Sequence, residues 1–391
     1  MNFTNKLVGM GVALVTPFKD DMSVDFEALE RLVEFQLRNG TDYLVVLGTT
    51  GETPTLNNVE RQAIIDTVVR VNAGRVPIVL GIGGNNTMGV VEQIRNTDFT
   101  NKLVGMGVAL VTPFKEDMSV DYEALERLVE FQLRNGTDYL VVLGTTGETP
   151  TLSDEERRLI VDTVVRVNAG RVPIVLGIGG NNTMGVVEQI RKTDFTNIDA
   201  ILSVSPYYNK PSQEGLYQHY KTIAESTYMP IIIYNVPGRT GANISAETTL
   251  RLAHDFQNIV AIKEASGNFK QIDDIIKNKP ANFMVISGDD GITFPLITLG
   301  AVGVISVVGN AFPKEFSRMV RLALRGDLEG ARRIHYSFVE MIELLFVDGN
   351  PAGVKSVLSC MGLINNVLRL PLVPTKTTTL EKIQDVLKTL S

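Results

Sequence analysis

Along most of the chain, short unbroken apolar runs rich in Val, Ile and Leu alternate with longer segments in which apolar residues recur at helical spacing. The unbroken runs suit strands buried on both faces, and the longer segments suit amphipathic helices. From residue 97 onward such runs fall at 104–114, 139–146, 173–180, 200–208, 230–238, 259–267, 283–291 and 303–309. They predict eight parallel strands. Between the first two, residues 120–136 place Leu125, Leu128, Val129 and Leu133 on one helical face and stop at Gly136. Ser153, followed three residues later by Glu156, predicts a capping box for the next helix. Eight strands joined by helical crossovers predict an α/β fold, a (β/α)8 TIM barrel. A doubly wound open sheet is the alternative, and the lack of a Gly-x-Gly-x-x-Gly turn after the first strand weighs against it. Residues 311–391 read as extra C-terminal helices outside the barrel.

The opening of the pattern is written twice. Residues 1–96 and 97–192 align at a constant offset of 96 with 11 differences, among them Asp20/Glu116, Phe26/Tyr122, Val59/Glu155 and Ala63/Leu159. Solenoid repeats are shorter, about 20–50 residues. TDFTN stands at 97–101 and again at 193–197; after the first the chain restarts with KLVGMG, and after the second it moves on with IDAILSV. A join between two related sequences at a shared FTN has that form. The first copy adds strand–helix units at 7–18, 43–50 and 76–83, three more than a closed barrel accepts. If the second copy fills the barrel, the first is an N-terminal extension with one junction. If the first copy fills it, the second must loop out and satisfy two. The first arrangement asks less of the chain. The expected organisation is therefore a surplus duplicated segment at 1–96 with no complete active site, a barrel at 97–310 and a helical region at 311–391. The surplus sheet would have two open edges and uncovered apolar faces.

Composition narrows the function classes. A net charge of −7 argues against a nucleic-acid partner, which needs a basic face. Cys360 is the only cysteine, so no disulfide framework or cysteine-based metal site is expected, and His219, His254 and His335 form no metal-binding motif. No signal-peptide pattern precedes the first strand and no apolar run approaches ~20 residues. A soluble cytoplasmic protein without membrane contact is expected.

In barrels of this kind the chemistry gathers at the C-terminal ends of the strands. Those ends carry Thr145, Thr146, Tyr207, Tyr208, Tyr234, Arg239, Lys263 and Gly288-Asp289-Asp290. Lys263 follows the apolar run IVAI, which would hold its stem in the barrel mouth, where a neutral amine can attack a carbonyl and form a Schiff base. The alternative is a lysine that has simply reached solvent at a strand end. Tyr234 can be a proton relay or a core tyrosine with a satisfied hydroxyl. Gly144-Thr145-Thr146-Gly147 offers N–H groups and two hydroxyls to an anion at a helix start, or is a glycine turn with capping threonines. Arg239 can fork a carboxylate or lie on the surface. Together, an anion cradle, a strand-end lysine, a tyrosine and an arginine suggest an aldolase-type enzyme for 2-oxo acids.

GTTGE (144–148), SPYYNKPSQEGLYQHY (205–220), YNVPGRTG (234–241), IKEASGN (262–268) and SGDD (287–290) form a specific set. On these motifs the chain resembles the dihydrodipicolinate synthase and N-acetylneuraminate lyase family of pyruvate-dependent class I lyases. The resemblance covers essentially all of 97–391, and the first copy repeats its first third. It implies that Lys263 forms the Schiff base with pyruvate and that no separate cofactor or metal is needed. It implies that Tyr234 is the central proton-relay tyrosine, linked by Thr146 to Tyr208, which in the family reaches across a dimer interface. Thr145 and Thr146 would cradle the pyruvate carboxylate, Arg239 would receive the carboxylate of the second substrate, and Gly288 and Ile305 would complete the pocket walls. A homo-oligomer, dimer or tetramer, is implied with it.

Within the family, YNVPGRTG and YYNKP resemble the synthase branch, which condenses pyruvate with L-aspartate 4-semialdehyde. The sialic-acid lyases lack that arginine and usually read Gly-Ser-Thr-Gly in place of Gly144-Thr145-Thr146-Gly147. Another pyruvate-dependent aldolase of the family, for a sialic acid or a 2-keto-3-deoxy sugar acid, is the alternative, as is an inactive structural protein if the surplus copy disturbs assembly. The lysine-inhibited enterobacterial type carries histidines and a glutamate at its regulatory site. Here Asp154, Arg157 and Gly185 stand at the matching positions, although Asn181 and Tyr207 are kept, so little inhibition by lysine is implied. The first copy repeats the threonines as Thr49 and Thr50 but has no counterpart of Lys263, Tyr234 or Arg239.

Overall fold

The computed structural model describes residues 7–82 and 102–390. The repeat junction at 97–101 and the end of the expected strand 76–83 lie outside them. The chain divides into two compact units, Met1–Ile94 and Arg95–Ser391.

In the smaller unit, β1 (Gly11–Ala13), β2 (Tyr43–Val46) and β3 (Ile78–Leu80) form a parallel three-stranded sheet in that order, with helices at Phe26–Arg38 and Asn58–Asn72. In the larger unit, β4 (Gly105–Ala109), β5 (Tyr139–Val142), β6 (Ile174–Gly177), β7 (Ala200–Val204), β8 (Ile231–Asn235), β9 (Ile259–Glu264), β10 (Met284–Ser287) and β11 (Gly303–Ser306) pair in sequence, and β11 returns to β4 to close a parallel barrel. The closed barrel thus takes its first three strands from the second copy. Four further helices follow at Pro313–Leu324, Leu328–Val347, Ala352–Cys360 and Thr377–Leu390.

The two copies fold alike locally because the local signals are the same. Asp25 caps its helix by accepting from the Ala28 N–H, and Asp121 does so from Ala124. Asn57 with Glu60, and Ser153 with Glu156, each form the reciprocal capping box. Gly11 pairs with Tyr43 as Gly107 pairs with Tyr139. A methyl group at Gly107 would lie 2.0 Å from the Tyr139 ring, so only glycine allows that packing.

Burial separates them. A barrel has two apolar layers, one between strands and helices and one inside the strands. The larger unit has both: Val142, Leu176, Ile201 and Ile262 lie in the outer layer, and Val141, Val175, Leu202 and Ile232 in the inner one. The smaller unit builds only the sheet–helix layer, with Leu29, Val33, Leu44, Val46, Ile64 and Val68. Among the described residues of that unit, nothing closes around the other face of its sheet.

The strands are shorter than the apolar runs that predict them. The run 139–146 leaves β5 at Val142 because Leu143 turns to φ 56°, and 200–208 leaves β7 at Val204. In both cases the rest of the run becomes loop at the barrel mouth.

Candidate active site

Residues alternate between the two faces of a strand, and the register of β8 on β9 sets Tyr234 opposite Lys263 and Asn235 opposite Glu264. Tyr234 joins the inner layer. Lys263 is 5% exposed, and its Nζ sits 4.3 Å from the centroid of the Tyr234 ring, within cation–π range. The lysine has therefore not simply escaped to solvent at its strand end. On the opposite face, Asn235 Nδ2 donates to both Glu264 carboxylate oxygens at 3.1 Å. Gln271 Nε2 donates to Oε2 at 3.0 Å and the Ser266 N–H to Oε1 at 2.8 Å. This lattice satisfies a fully buried carboxylate, which would otherwise be costly, and it ties the two strand ends together beneath the Tyr234–Lys263 pair.

Gly288 follows β10 and donates its N–H to the Glu264 carbonyl at 2.8 Å. A Cβ there would stand 3.1 Å from Lys263 Cε and 2.7 Å from the Ala265 methyl, so glycine leaves room for the lysine stem. Ile305, almost wholly buried on β11, shares the inner layer with Tyr234.

The Gly-Thr-Thr-Gly segment differs from its expected form. It does not open a long helix. Thr145–Gly147 is a single 3-10 turn, Thr149–Thr151 is another, and the long helix begins only at Asp154. The segment thus offers turn N–H groups and hydroxyls, without a helix macrodipole behind them. Thr145 is exposed; Thr146 is buried, and its Oγ1 accepts from Asn350 Nδ2 at 3.0 Å. Among the described residues, no hydrogen bond joins Thr146 to Tyr234 or to Tyr208. Tyr208 is 88% exposed, in a left-handed backbone conformation (φ 74°), with its N–H on the Thr240 carbonyl at 3.3 Å. The three hydroxyls of the implied relay are thus not assembled within one chain. Arg239 lies exposed on the four-residue helix Pro237–Thr240. Asn181 and Tyr207 do meet, Asn181 Nδ2 donating to the Tyr207 carbonyl at 3.3 Å, while Arg157 pairs with Asp154 at 3.3 Å.

Sequence reasoning missed the groups that hold the GTTGE turn from the C-terminal region. Asn350 is one. Lys355 and Glu148 are another pair, both with fully buried side chains and joined as an ion pair. Lys355 Nζ also donates to the Val367 carbonyl at 2.9 Å and lies 4.2 Å from the Phe114 ring centroid. Burial pushes its ammonium down to about 8, against the upward pull of Glu148. Glu148 accepts a further bond from the Arg369 N–H at 3.0 Å. Among the described residues no cluster of His, Cys, Asp or Glu could hold a metal ion, and no helix is long and apolar enough to cross a membrane.

The sequence pattern of the Dihydrodipicolinate synthetase family matches residues 6–97 and, again, 102–390. The chain belongs to that family. It is 70% identical over 289 residues to a 4-hydroxy-tetrahydrodipicolinate synthase of Parabacteroides distasonis, covering 74% of this chain and 97% of that protein. The family member of the same name from Phocaeicola vulgatus is 68% identical over 289 residues, with 74% and 97% covered. Among solved structures, the dihydrodipicolinate synthase of Thermotoga maritima matches with a TM-score of 0.72 at 44% identity, covering 74% of this chain and 99% of that one. All three carry the synthase name, and none favours the sugar-acid aldolase alternative.

Proposed function

We propose that the chain condenses pyruvate with L-aspartate 4-semialdehyde to give 4-hydroxy-tetrahydrodipicolinate, as a class I lyase of lysine and diaminopimelate biosynthesis in the cytoplasm. The observation that carries the reading is the buried Lys263 amine held over Tyr234 at the C-terminal ends of β9 and β8, in a chain so similar to enzymes named for that product. The Lys263 amine adds to the carbonyl carbon of pyruvate and loses water, forming the Schiff base. Loss of a methyl proton gives an enamine whose carbon attacks the aldehyde of the second substrate. The amine of that substrate then attacks the imine carbon and displaces Lys263, closing the ring. No separate cofactor enters this sequence.

Tyr234 stands where it can exchange protons with the reacting carbon and nitrogen, and Thr146 links it to Tyr208 of a neighbouring copy. The exposure of Tyr208 in the lone chain supports that sharing, and with it a homo-oligomer, dimer or tetramer. Thr145 and Thr146 receive the pyruvate carboxylate, Arg239 that of the semialdehyde, and Gly288 and Ile305 wall the pocket. Residues 97–310 then form the catalytic barrel. Residues 1–96 are a tandem duplicate of its opening, with Thr49 and Thr50 but no Schiff-base lysine.

Treatment with pyruvate and borohydride should leave one covalent adduct per chain, on Lys263, located by peptide mass spectrometry. Lys263→Ala should remove it. An adduct that persists elsewhere in that variant overturns the assignment.

A further inference from the structure

Asn350 lies 204 residues from Thr146 in sequence, in the segment between the helices Leu328–Val347 and Ala352–Cys360. It is buried, 6% exposed, and its Nδ2 donates to Thr146 Oγ1 at 3.0 Å. A threonine hydroxyl has one hydrogen to give and lone pairs to receive. When Asn350 occupies a lone pair, the Thr146 hydrogen must point elsewhere. Thr146 has no other side-chain hydrogen bond among the described residues, so its proton is left for a group in the pocket. Two further contacts fix the same turn from the same region: Lys355 pairs with Glu148, two residues beyond Thr146, and the Arg369 N–H holds the other Glu148 oxygen at 3.0 Å. The C-terminal helices thus do more than cover the barrel.

We propose that Asn350 is a positioning residue that sets the direction of the Thr146 hydroxyl proton. This inference rests on the reading of Thr146 as a link in the proton relay. With the amide donating, Thr146 gives its hydrogen to Tyr234 and its remaining lone pair accepts from the neighbour's Tyr208, so the proton passes from Tyr208 through Thr146 to Tyr234. In this role Asn350 acts through Thr146.

The donor role separates this idea from simple packing. Asn350→Asp nearly preserves shape but supplies only acceptors when ionised, so the Thr146 hydroxyl would turn its hydrogen toward residue 350 and away from the pocket. Proton transfer by a positioned group contributes about 100-fold or more to rate. Asn350→Asp should therefore lower kcat by about 10-fold or more with little change in KM for pyruvate, and Asn350→Ala by less. Combining Asn350→Ala with Thr146→Val should be no slower than Thr146→Val alone, because both act on one proton path. Wild-type kcat in Asn350→Asp overturns the proposal, as do losses that multiply in the double variant. Should Asn350→Asp fail to fold, the Asn350→Ala and Thr146→Val cycle decides alone. Borohydride trapping of pyruvate on wild-type Lys263 is run alongside. Failure to trap there removes the Schiff-base reading itself, whereas trapping with insensitive Asn350 variants removes only this inference.

Discussion

Asp290, just past the end of β10, is a buried carboxyl whose Oδ2 accepts from the Val307 and Val308 N–H groups at 2.9 and 2.8 Å. Burial raises its pKa from 3.8 to about 6, against those hydrogen bonds. Between these values the folded chain holds a proton that the unfolded chain releases. The stabilisation is complete below pH 3.8 and is lost as pH rises through 6, a swing of about 3 kcal/mol. His219 has the opposite sign. Burial lowers it from 6.5 to about 4, so its contribution is complete above pH 6.5 and lost as pH falls through 4. The two slopes oppose each other over much the same window, and wild-type stability alone would show little. Asp290→Asn separates them, since it keeps an acceptor for both N–H groups but cannot ionise. Relative to wild type, its urea-unfolding free energy should rise between about pH 4 and pH 7; a constant difference would mean that Asp290 titrates normally in the fold.

The eight barrel strands were legible because strands buried on both faces leave long apolar runs, and the caps at Asp121 and Ser153 are local. Lys263 and Tyr234 were legible as polar residues interrupting such runs at the mouth. The ends of the runs were not, since residues 143–146 and 205–208 stay partly apolar after leaving the ladder. Asn350 and Lys355, and the pairing of the GTTGE residue Glu148 with Lys355, were hidden for a different reason. Asn350 and Lys355 are each polar in a region with no periodic signal of its own, and the partner of each is some 200 residues away. The element they secure, the helix Ala352–Cys360 against the GTTGE turn, yields a measurable expectation. Removing one member of a buried ion pair leaves the other uncompensated, which costs roughly 3–5 kcal/mol. Lys355→Met should destabilise the fold by that order in urea titration, and adding Glu148→Gln should recover part of the loss. A single variant as stable as wild type would show that the pair does not anchor the helix.

Connectivity, rather than contact chemistry, decides which copy closes the barrel. The rest of the larger unit grips the second copy through Gln132, Asp138, Tyr139, Thr151 and Glu156. The Asn310 carbonyl accepts from Gln132 Nε2 at 2.8 Å, Arg321 pairs with Asp138 at 2.8 Å, and the Val304 carbonyl accepts from the Tyr139 hydroxyl at 3.1 Å. Arg369 holds the Thr151 carbonyl at 2.9 Å and the Glu156 carboxylate. The first copy has the same residue types at Gln36, Asp42, Tyr43, Thr55 and Glu60. Its apolar residues show what it lacks. Leu7, Met10 and Val15 are 47%, 55% and 47% exposed, where Leu103, Met106 and Val111 are at most 1% exposed. Full burial of such a side chain is worth roughly 1.5–3 kcal/mol, and these three realise only part of it. The strands β1 and β3 each have one partner among the described residues, which leaves pairing edges open to association. Deleting residues 1–96 removes these faces and edges and none of the groups assigned to the site. Catalytic rate should stay within about two-fold of the full chain, while solubility, read as the soluble fraction after expression, should increase. Thr50→Val and Thr146→Val, assayed separately in the full chain, test the same placement from the other side. Thr146 is buried against Asn350 and Thr50 is exposed, so only Thr146→Val should lower turnover steeply, by about 100-fold. Loss of activity on Thr50→Val alone would mean that in solution the first copy closes the barrel and the second is the one looped out, whereas loss on deletion would mean that the barrel of the larger unit depends on the first copy to fold.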